Sequence, residues 1–233
     1  MHFHVITIFP KLLESYLADS ILARAIESDK ISVQFYNPRD FTEDKHHKTD
    51  DRPYAGGPGM VMYAAPILHA VESAISNFQF FPPADGTPPK AVAISNKKTK
   101  PQIFILSPRG EQFTNLTAKM IANNKNTDII LICGRYEGID ARVKKILKAK
   151  EISVGPYVLT GGELPAMIMI DSIARQIQGV LGDEDSVEEN RTAAAEVYTR
   201  PEILEWKSKR YKVPKVLLSG DHKKIEKWKI GNK

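Results

Sequence analysis

The segment Ile152–Ala166, ISVGPYVLTGGELPA, holds three glycines and two prolines in fifteen positions, between an apolar run and an amphipathic helix. Glycine permits positive φ and a close approach of backbone to a ligand. A chain that leaves a strand in this way presents main-chain N–H and C=O groups to something. About twenty residues earlier, CGRYEGID (Cys133 to Asp140) has the same layout. Two such loops at neighbouring strand ends imply one pocket with a largely backbone-lined wall. Other groups that could do chemistry read differently. His46 and His47 lie among Glu43, Asp44, Asp50 and Asp51, but adjacent histidines cannot share one face of a regular element, so a solvated loop fits better than a metal site. Cys133 has no paired histidine motif and reads as a small core residue rather than a nucleophile. Arg175 stands four residues after Asp171, a spacing that by itself implies an ion pair on one helix.

The elements that must carry these loops follow from hydrophobic period. Residues 3–9 read as a strand, 11–27 as a helix with Leu12, Leu13, Tyr16, Leu17, Ile21 and Leu22 on one face, and Ile31–Tyr36 as a second strand. Helices are expected over 64–76, 114–124, 139–148 and 163–178, and strands over 103–106, 128–133 and 151–154. This alternation predicts an α/β domain with a mainly parallel sheet. Two long stretches interrupt it. Asn37–Gly59 is polar and ends AGGPGM, too long for a mere connection. Residues 78–102, with FPPADGTPP and SNKKTKP, read as a surface insertion, and DEDSVEEN after Gly182 has the composition of a linker.

Composition narrows the function. No apolar run approaches the ~20 residues that span a bilayer. The opening MHFHVITIFPKLL reads as a first buried strand rather than a signal peptide. One cysteine excludes an internal disulfide and fits a reducing cytosol. Neither GxxxxGK[ST] nor GxGxxG after the first strand is present, which disfavours a P-loop NTPase and an ordinary dinucleotide fold. The net charge of +5 is uneven: residues 207–233 hold ten Lys and Arg against Asp221 and Glu226. Trp206, Tyr211 and Trp228 interleave with those cations, a pattern that favours a polyanion such as nucleic acid.

Taken in order, LSPRG (Leu106–Gly110), CGRYEGID and SVGPYVLTGGELPAMIMIDSIAR (Ser153–Arg175) resemble the bacterial tRNA (guanine-N1)-methyltransferases of the SPOUT superfamily. Phe9–Pro10, PRDFT (38–42), DDRPYAGGPGM (50–60), YTRPE (198–202) and LLSGDHKKIEKW (217–228) extend the resemblance from residue 3 to about 230. It implies a parallel sheet with a C-terminal trefoil knot over residues 1–181, a flexible linker over 182–195, and a short basic helical tRNA-binding domain over 196–233. The knot loops would bind S-adenosylmethionine through Leu106, Ser107 and Pro108, through Gly134, Tyr136 and Glu137, and through Val154, Gly155, Pro156, Tyr157, Val158, Leu159, Gly161 and Gly162. Asp50, Arg52, Gly59 and Met60 would serve the substrate.

The same resemblance implies a cytoplasmic homodimer with its active site between protomers and a tRNA anticodon stem-loop as substrate. It gives Arg175 a catalytic role beside the guanine O6, and sets Glu137 near the methyl donor or a magnesium ion. No residue is assigned as a metal ligand. The general base departs from the pattern: ungapped alignment brings Asn190 to the place of the family's aspartate, and an amide cannot take a proton. Glu189 is the replacement chosen, with Glu188, Asp185, or Asp50 or Asp51 of the other protomer as alternatives. Methylation at another RNA position, and tRNA binding without turnover, are the competing readings.

Overall fold

The computed structural model describes residues 1–54, 56–77, 100–124, 128–181 and 196–231, in two compact units, Met1–Val180 and Leu181–Lys233. In the first, the chain runs β1 (His2–Ile6), α1 (Lys11–Leu17), α2 (Ser20–Glu27), β2 (Ser32–Tyr36), a 3₁₀ turn (Pro38–Phe41), β3 (Asp50–Asp51), β4 (Val61–Met62) and α3 (Ala64–Asn77). It continues through β5 (Gln102–Gln112), α4 (Asn115–Asn123), β6 (Ile129–Cys133), α5 (Ala141–Leu147), β7 (Lys150–Ser153) and α6 (Glu163–Ala174). Five strands form one sheet in the order β2-β1-β6-β5-β7, every pair parallel. Parallel neighbours need crossover connections, and the helices that supply them cover the sheet.

The alternation of side chains sorts the core into two layers. Phe3, Val5, Phe104, Leu106, Ile129, Leu131 and Cys133 pack against Leu13 and Leu17 of α1, Leu22 and Ala25 of α2, Ala118 and Ile121 of α4, and the apolar body of α6. On the other face Ile6, Ile105, Ile130 and Ile132 meet Ile67, Ala70, Val71 and Ala74 of α3 and Val143 of α5. Strand β6, IILIC, is buried at every position, as its central place in a covered sheet requires.

The expected α/β alternation is present, with three differences. The helix expected over 11–27 is two helices, because the Asp19 carboxylate accepts from Ser20 N at 2.6 Å and starts a new helix where α1 stops at Ala18. Strand β5 runs on to Gln112 because its ladder with β7 resumes after a gap: Ile152 pairs with Leu106 and again with Glu111. The polar stretch after Asn37 includes the 3₁₀ turn, and its β3 pairs with β4 in antiparallel register. Most of the insertion (residues 78–99) and the linker (182–195) lie outside the described residues.

The second unit is not purely helical. It contains an antiparallel hairpin, β8 (Ile203–Trp206) with β9 (Lys209–Lys212), a 3₁₀ turn (Lys215–Leu218) and α7 (His222–Gly231). The hairpin forms because Lys207 and Ser208 both take positive φ (44° and 61°), the geometry of a two-residue turn matched to strand twist. Helix α7 lays Trp228 toward Tyr198, ring centroids 6.3 Å apart and tilted by 58°.

Leu131, at 0% exposure in the central strand, sets the stability expected of the sheet. Leu131→Ala should lower the unfolding free energy by about 2–5 kcal/mol with an unchanged denaturant slope, read by urea titration followed by circular dichroism.

Candidate active site

Three loops leave the C-terminal ends of the adjacent strands β6, β5 and β7, the edge at which open parallel sheets bind ligands. Residues 107–110 form the first, the excursion that interrupts the β5–β7 ladder. It closes through Gly110, where a Cβ would stand 2.4 Å from the Ile152 amide nitrogen, so only glycine lets the strand return. The second, 134–140, turns with Tyr136 at φ 58° and Gly138 at φ 127°, and ends where Asp140 accepts from Arg142 N at 2.9 Å to start α5. The third, 154–162, begins with the Ser153 hydroxyl donating to Gly155 O at 2.9 Å and ends at the start of α6.

Loops two and three are joined at short range. Gly162 N donates to Gly134 O at 2.9 Å, and a Cβ on Gly162 would meet Cys133 Cα at 2.6 Å. A charged cluster lies beside this contact. Glu163, 3% exposed, takes a hydrogen bond from the Thr7 hydroxyl at 2.7 Å and faces Arg135 Nη2 at 2.9 Å. Arg135 Nη1 donates to Thr160 O at 3.2 Å, and the guanidinium lies 4.6 Å from the Phe9 ring centroid. Arg39 approaches the same ring at 5.4 Å while donating to Ile8 O at 2.8 Å. Thr7 also accepts from Phe9 N at 3.0 Å, so the end of β1 is part of the cluster.

The GRYEG loop is tied to the AGGPGM loop as well. Glu137 N donates to Met60 O at 3.0 Å, Met62 N to Gly138 O at 2.9 Å, and Asp140 N to Met62 O at 3.0 Å. A Cβ on Gly59 would fall 2.5 Å from Glu137 Cγ. The structure therefore brings Gly59, Met60 and Glu137 together. Arg52 lines a concavity of about 540 Å³ with Pro53 and residues 56–60. Asp50 pairs with Met62 in the β3–β4 ladder. Asp51 accepts from Arg52 N and from the Tyr63 hydroxyl, each at 2.8 Å; these bonds hold its carboxyl below the usual carboxylate range, and the phenol is raised in turn.

The other candidate residues are placed as follows. Leu106 is buried, so only its main chain faces the loops, while Pro108, Tyr136, Pro156, Tyr157 and Val158 are exposed. Glu137 is exposed too; Ser107, Gly134, Val154, Leu159 and Gly161 are half-buried, and Gly155 and Gly162 are buried. The Tyr157 ring folds back over Gly155, where a Cβ would stand 2.3 Å from it. Arg175 is not near these loops along its own helix: it caps the C-terminal end of α6, about 18 Å from Glu163 by the rise of twelve residues. Its helical neighbour Asp171 accepts from the Tyr16 hydroxyl at 2.6 Å. Glu189, Asn190, Glu188 and Asp185 lie outside the described residues.

Cys133 is fully buried, and burial first, then the negative charge of Glu163, push its thiol well above the ordinary range, which leaves it no nucleophilic role. His46 and His47 belong to a turn in which Asp44 accepts from His46 N and Lys48 N. Sequence reasoning missed the Thr7–Glu163–Arg135 cluster. The signal was present: ELPAMIMIDSIA is apolar apart from Glu163, Asp171 and Ser172, and the acid at its head directly follows the paired glycines Gly161 and Gly162.

The whole chain, residues 1–233, matches the family model described as tRNA (Guanine-1)-methyltransferase TrmD. A Clostridioides difficile protein named tRNA (guanine-N(1)-)-methyltransferase is 44% identical over 233 residues, 98% of this chain and 90% of its own. One of the same name from Thermomicrobium roseum is 44% identical over 232 residues, 98% and 77% of the two chains. The crystal structure of the tRNA (m1G37) methyltransferase from Aquifex aeolicus superposes with a TM-score of 0.74 at 36% identity, covering 99% of this chain and 88% of that one.

The buried pair gives a test of this architecture. Glu163→Gln leaves the Arg135 guanidinium without its carboxylate and should cost about 3 kcal/mol of stability. Adding Arg135→Met should return part of that loss, measured by chemical denaturation of both variants.

Proposed function

The chain belongs to the tRNA (guanine-1)-methyltransferase family, and on that premise we propose that it methylates N1 of the guanine 3′ of the anticodon, position 37, in tRNA. The observation that carries the reading is the joined pair of loops at Gly134 and Gly162, in a chain matched by that family along its whole length. S-adenosylmethionine is the donor, supplying an electrophilic methyl on a sulfonium. The loops fit it: they offer main-chain groups at 106–108, 134–138 and 154–162, where glycines admit close approach, and exposed tyrosine rings at 136 and 157. The close crossings at Gly110 with Ile152 and at Gly162 with Cys133 support a trefoil-knotted threading of these loops.

Methyl transfer from sulfur to N1 is an in-line displacement, so holding the two partners in line supplies much of the rate. N1 carries a proton at neutral pH, which a base must remove, while charge develops on O6. Arg175 donates to O6. The ~18 Å between it and the loops of its own chain supports a homodimer in which one protomer's Arg175 serves its partner's loops. Glu189 takes the N1 proton, since Asn190 cannot. Gly59, Met60, Asp50 and Arg52 bound the guanine side, with Glu137 between them and the donor.

Among the described residues no three His, Cys, Asp or Glu side chains group closely enough to hold a metal. The basic second unit contacts the anticodon arm, and the reaction is cytoplasmic. No helix among the described residues is long and apolar enough to cross a membrane.

Unmodified tRNA transcript, incubated with the chain and S-adenosylmethionine and then digested, should yield N1-methylguanosine; binding without it would mean that turnover has been lost. Arg175→Ala should lower kcat about 10²–10³-fold. Mixing Arg175→Ala with Gly161→Ala, whose Cβ would displace the Arg135 guanidinium, should restore roughly a quarter of wild-type activity if the sites are shared between protomers. An undiminished rate for Glu189→Gln would remove that residue as the base.

A further inference from the structure

The hairpin of the second unit is inverted relative to ordinary practice. Its register pairs Ile203 with Lys212, Leu204 with Tyr211, Glu205 with Arg210 and Trp206 with Lys209. Opposite residues share a side and successive ones alternate, so Leu204, Trp206, Lys209 and Tyr211 form one side, and Ile203, Glu205, Arg210 and Lys212 the other. Ile203 is the single half-buried residue of the two strands, so its side is the inner one at the hairpin base, while Glu205 and Arg210 on the same side have side chains 71% and 60% exposed further along. The outward side is then the apolar one: Trp206 is 63% exposed, and Tyr211 and Leu204 53% each. Hairpins that stand on a domain place polar side chains outward, and a contiguous exposed apolar surface marks a contact site.

The charges say what kind of contact. The outward side carries Lys209 and no acid, and Lys207 stands in the turn. The hairpin's single acid, Glu205, lies on the inner side and is held by Arg210 Nε at 3.1 Å. The structure also separates the three aromatics of this basic region. Trp228 is half-buried and packs toward Tyr198, whereas Trp206 and Tyr211 are diagonal neighbours in the ladder, about 7–8 Å apart, with open faces.

We propose that the outward side of the β8–β9 hairpin stacks unpaired nucleobases of the substrate RNA on Trp206 and Tyr211, with Lys207 and Lys209 holding the adjoining phosphates. Aromatic faces flanked by cations are how single-stranded nucleic acid is held without sequence readout, and RNA loops supply bases that are free to stack. A protein partner would need acids to answer the lysines and a matching apolar surface; RNA provides both the charge and the rings. This contact rests on the proposed tRNA reaction and adds to its grip on the substrate.

The chain has two tryptophans, so full-length Trp228→Phe leaves Trp206 as the single reporter. Titrating it with unmodified tRNA transcript at near-physiological salt should quench Trp206 emission. Trp206→Ala and Tyr211→Ala should each raise the KM for tRNA about ten-fold or more, with kcat and the salt dependence of binding unchanged. Lys209→Gln should instead flatten the salt dependence. Should Trp228→Phe unfold, the same quench is read as the difference between the wild-type chain and Trp206→Ala. Trp206 emission that tRNA does not change, or that is already shielded from acrylamide without RNA, would overturn the proposal, the latter in favour of a protein surface on this face. Methylation by the wild-type chain separates the two levels: N1-methylguanosine without a Trp206 quench sinks the hairpin contact alone, and no N1-methylguanosine sinks the reaction on which it rests.

Discussion

A carboxylate sealed from water must be answered by donors and a cation, and Glu163 is answered from separate parts of the chain. Thr7 comes from the end of β1 and Arg135 from the loop after β6, while Glu163 itself opens α6. Arg135 passes the connection on to the Thr160 carbonyl and covers the Phe9 ring. Each group is acceptable in its buried place because the others are there. The loop ends around them inherit their positions from this cluster, which costs more to break than any single exposed ion pair could.

Backbone contact does the remaining work around it. Gly162 rests on Cys133, Gly110 on Ile152, and the loop at Met60–Met62 exchanges main-chain hydrogen bonds with Glu137–Asp140. The loop at Met60–Met62, the GRYEG loop and the start of α6 are therefore one connected body at the edge of the sheet. Arg175, at the far end of α6, is related to that body by the length of a helix.

Much of this was legible in the sequence. The apolar run IILIC needed only its neighbours to read as a central buried strand, and the glycine loops announced themselves by composition. What failed did so where local signals compete or distant ones decide. The break at Ala18–Asp19 is a capping carboxylate winning over an otherwise continuous apolar face. The return of β5 to its ladder depends on β7, forty residues on in sequence, and no window around Leu106 contains it. Glu163 looked like an ordinary helix-start acid because Thr7 and Arg135 are far away along the chain. The hairpin at 203–212 was hidden by its lysines, whose alternation with aromatics reads as charge before it reads as strand.

The steric character of Gly110 and Gly162 reaches into the evolution of any resistance. At both positions the obstructing atoms belong to main chain, which no compensating side-chain exchange can move aside. A small molecule seated on the peptide groups of these loops would press on a surface with very few permissible sequence variants. Escape by substitution would have to begin elsewhere, as at Val158, whose side chain is 83% exposed.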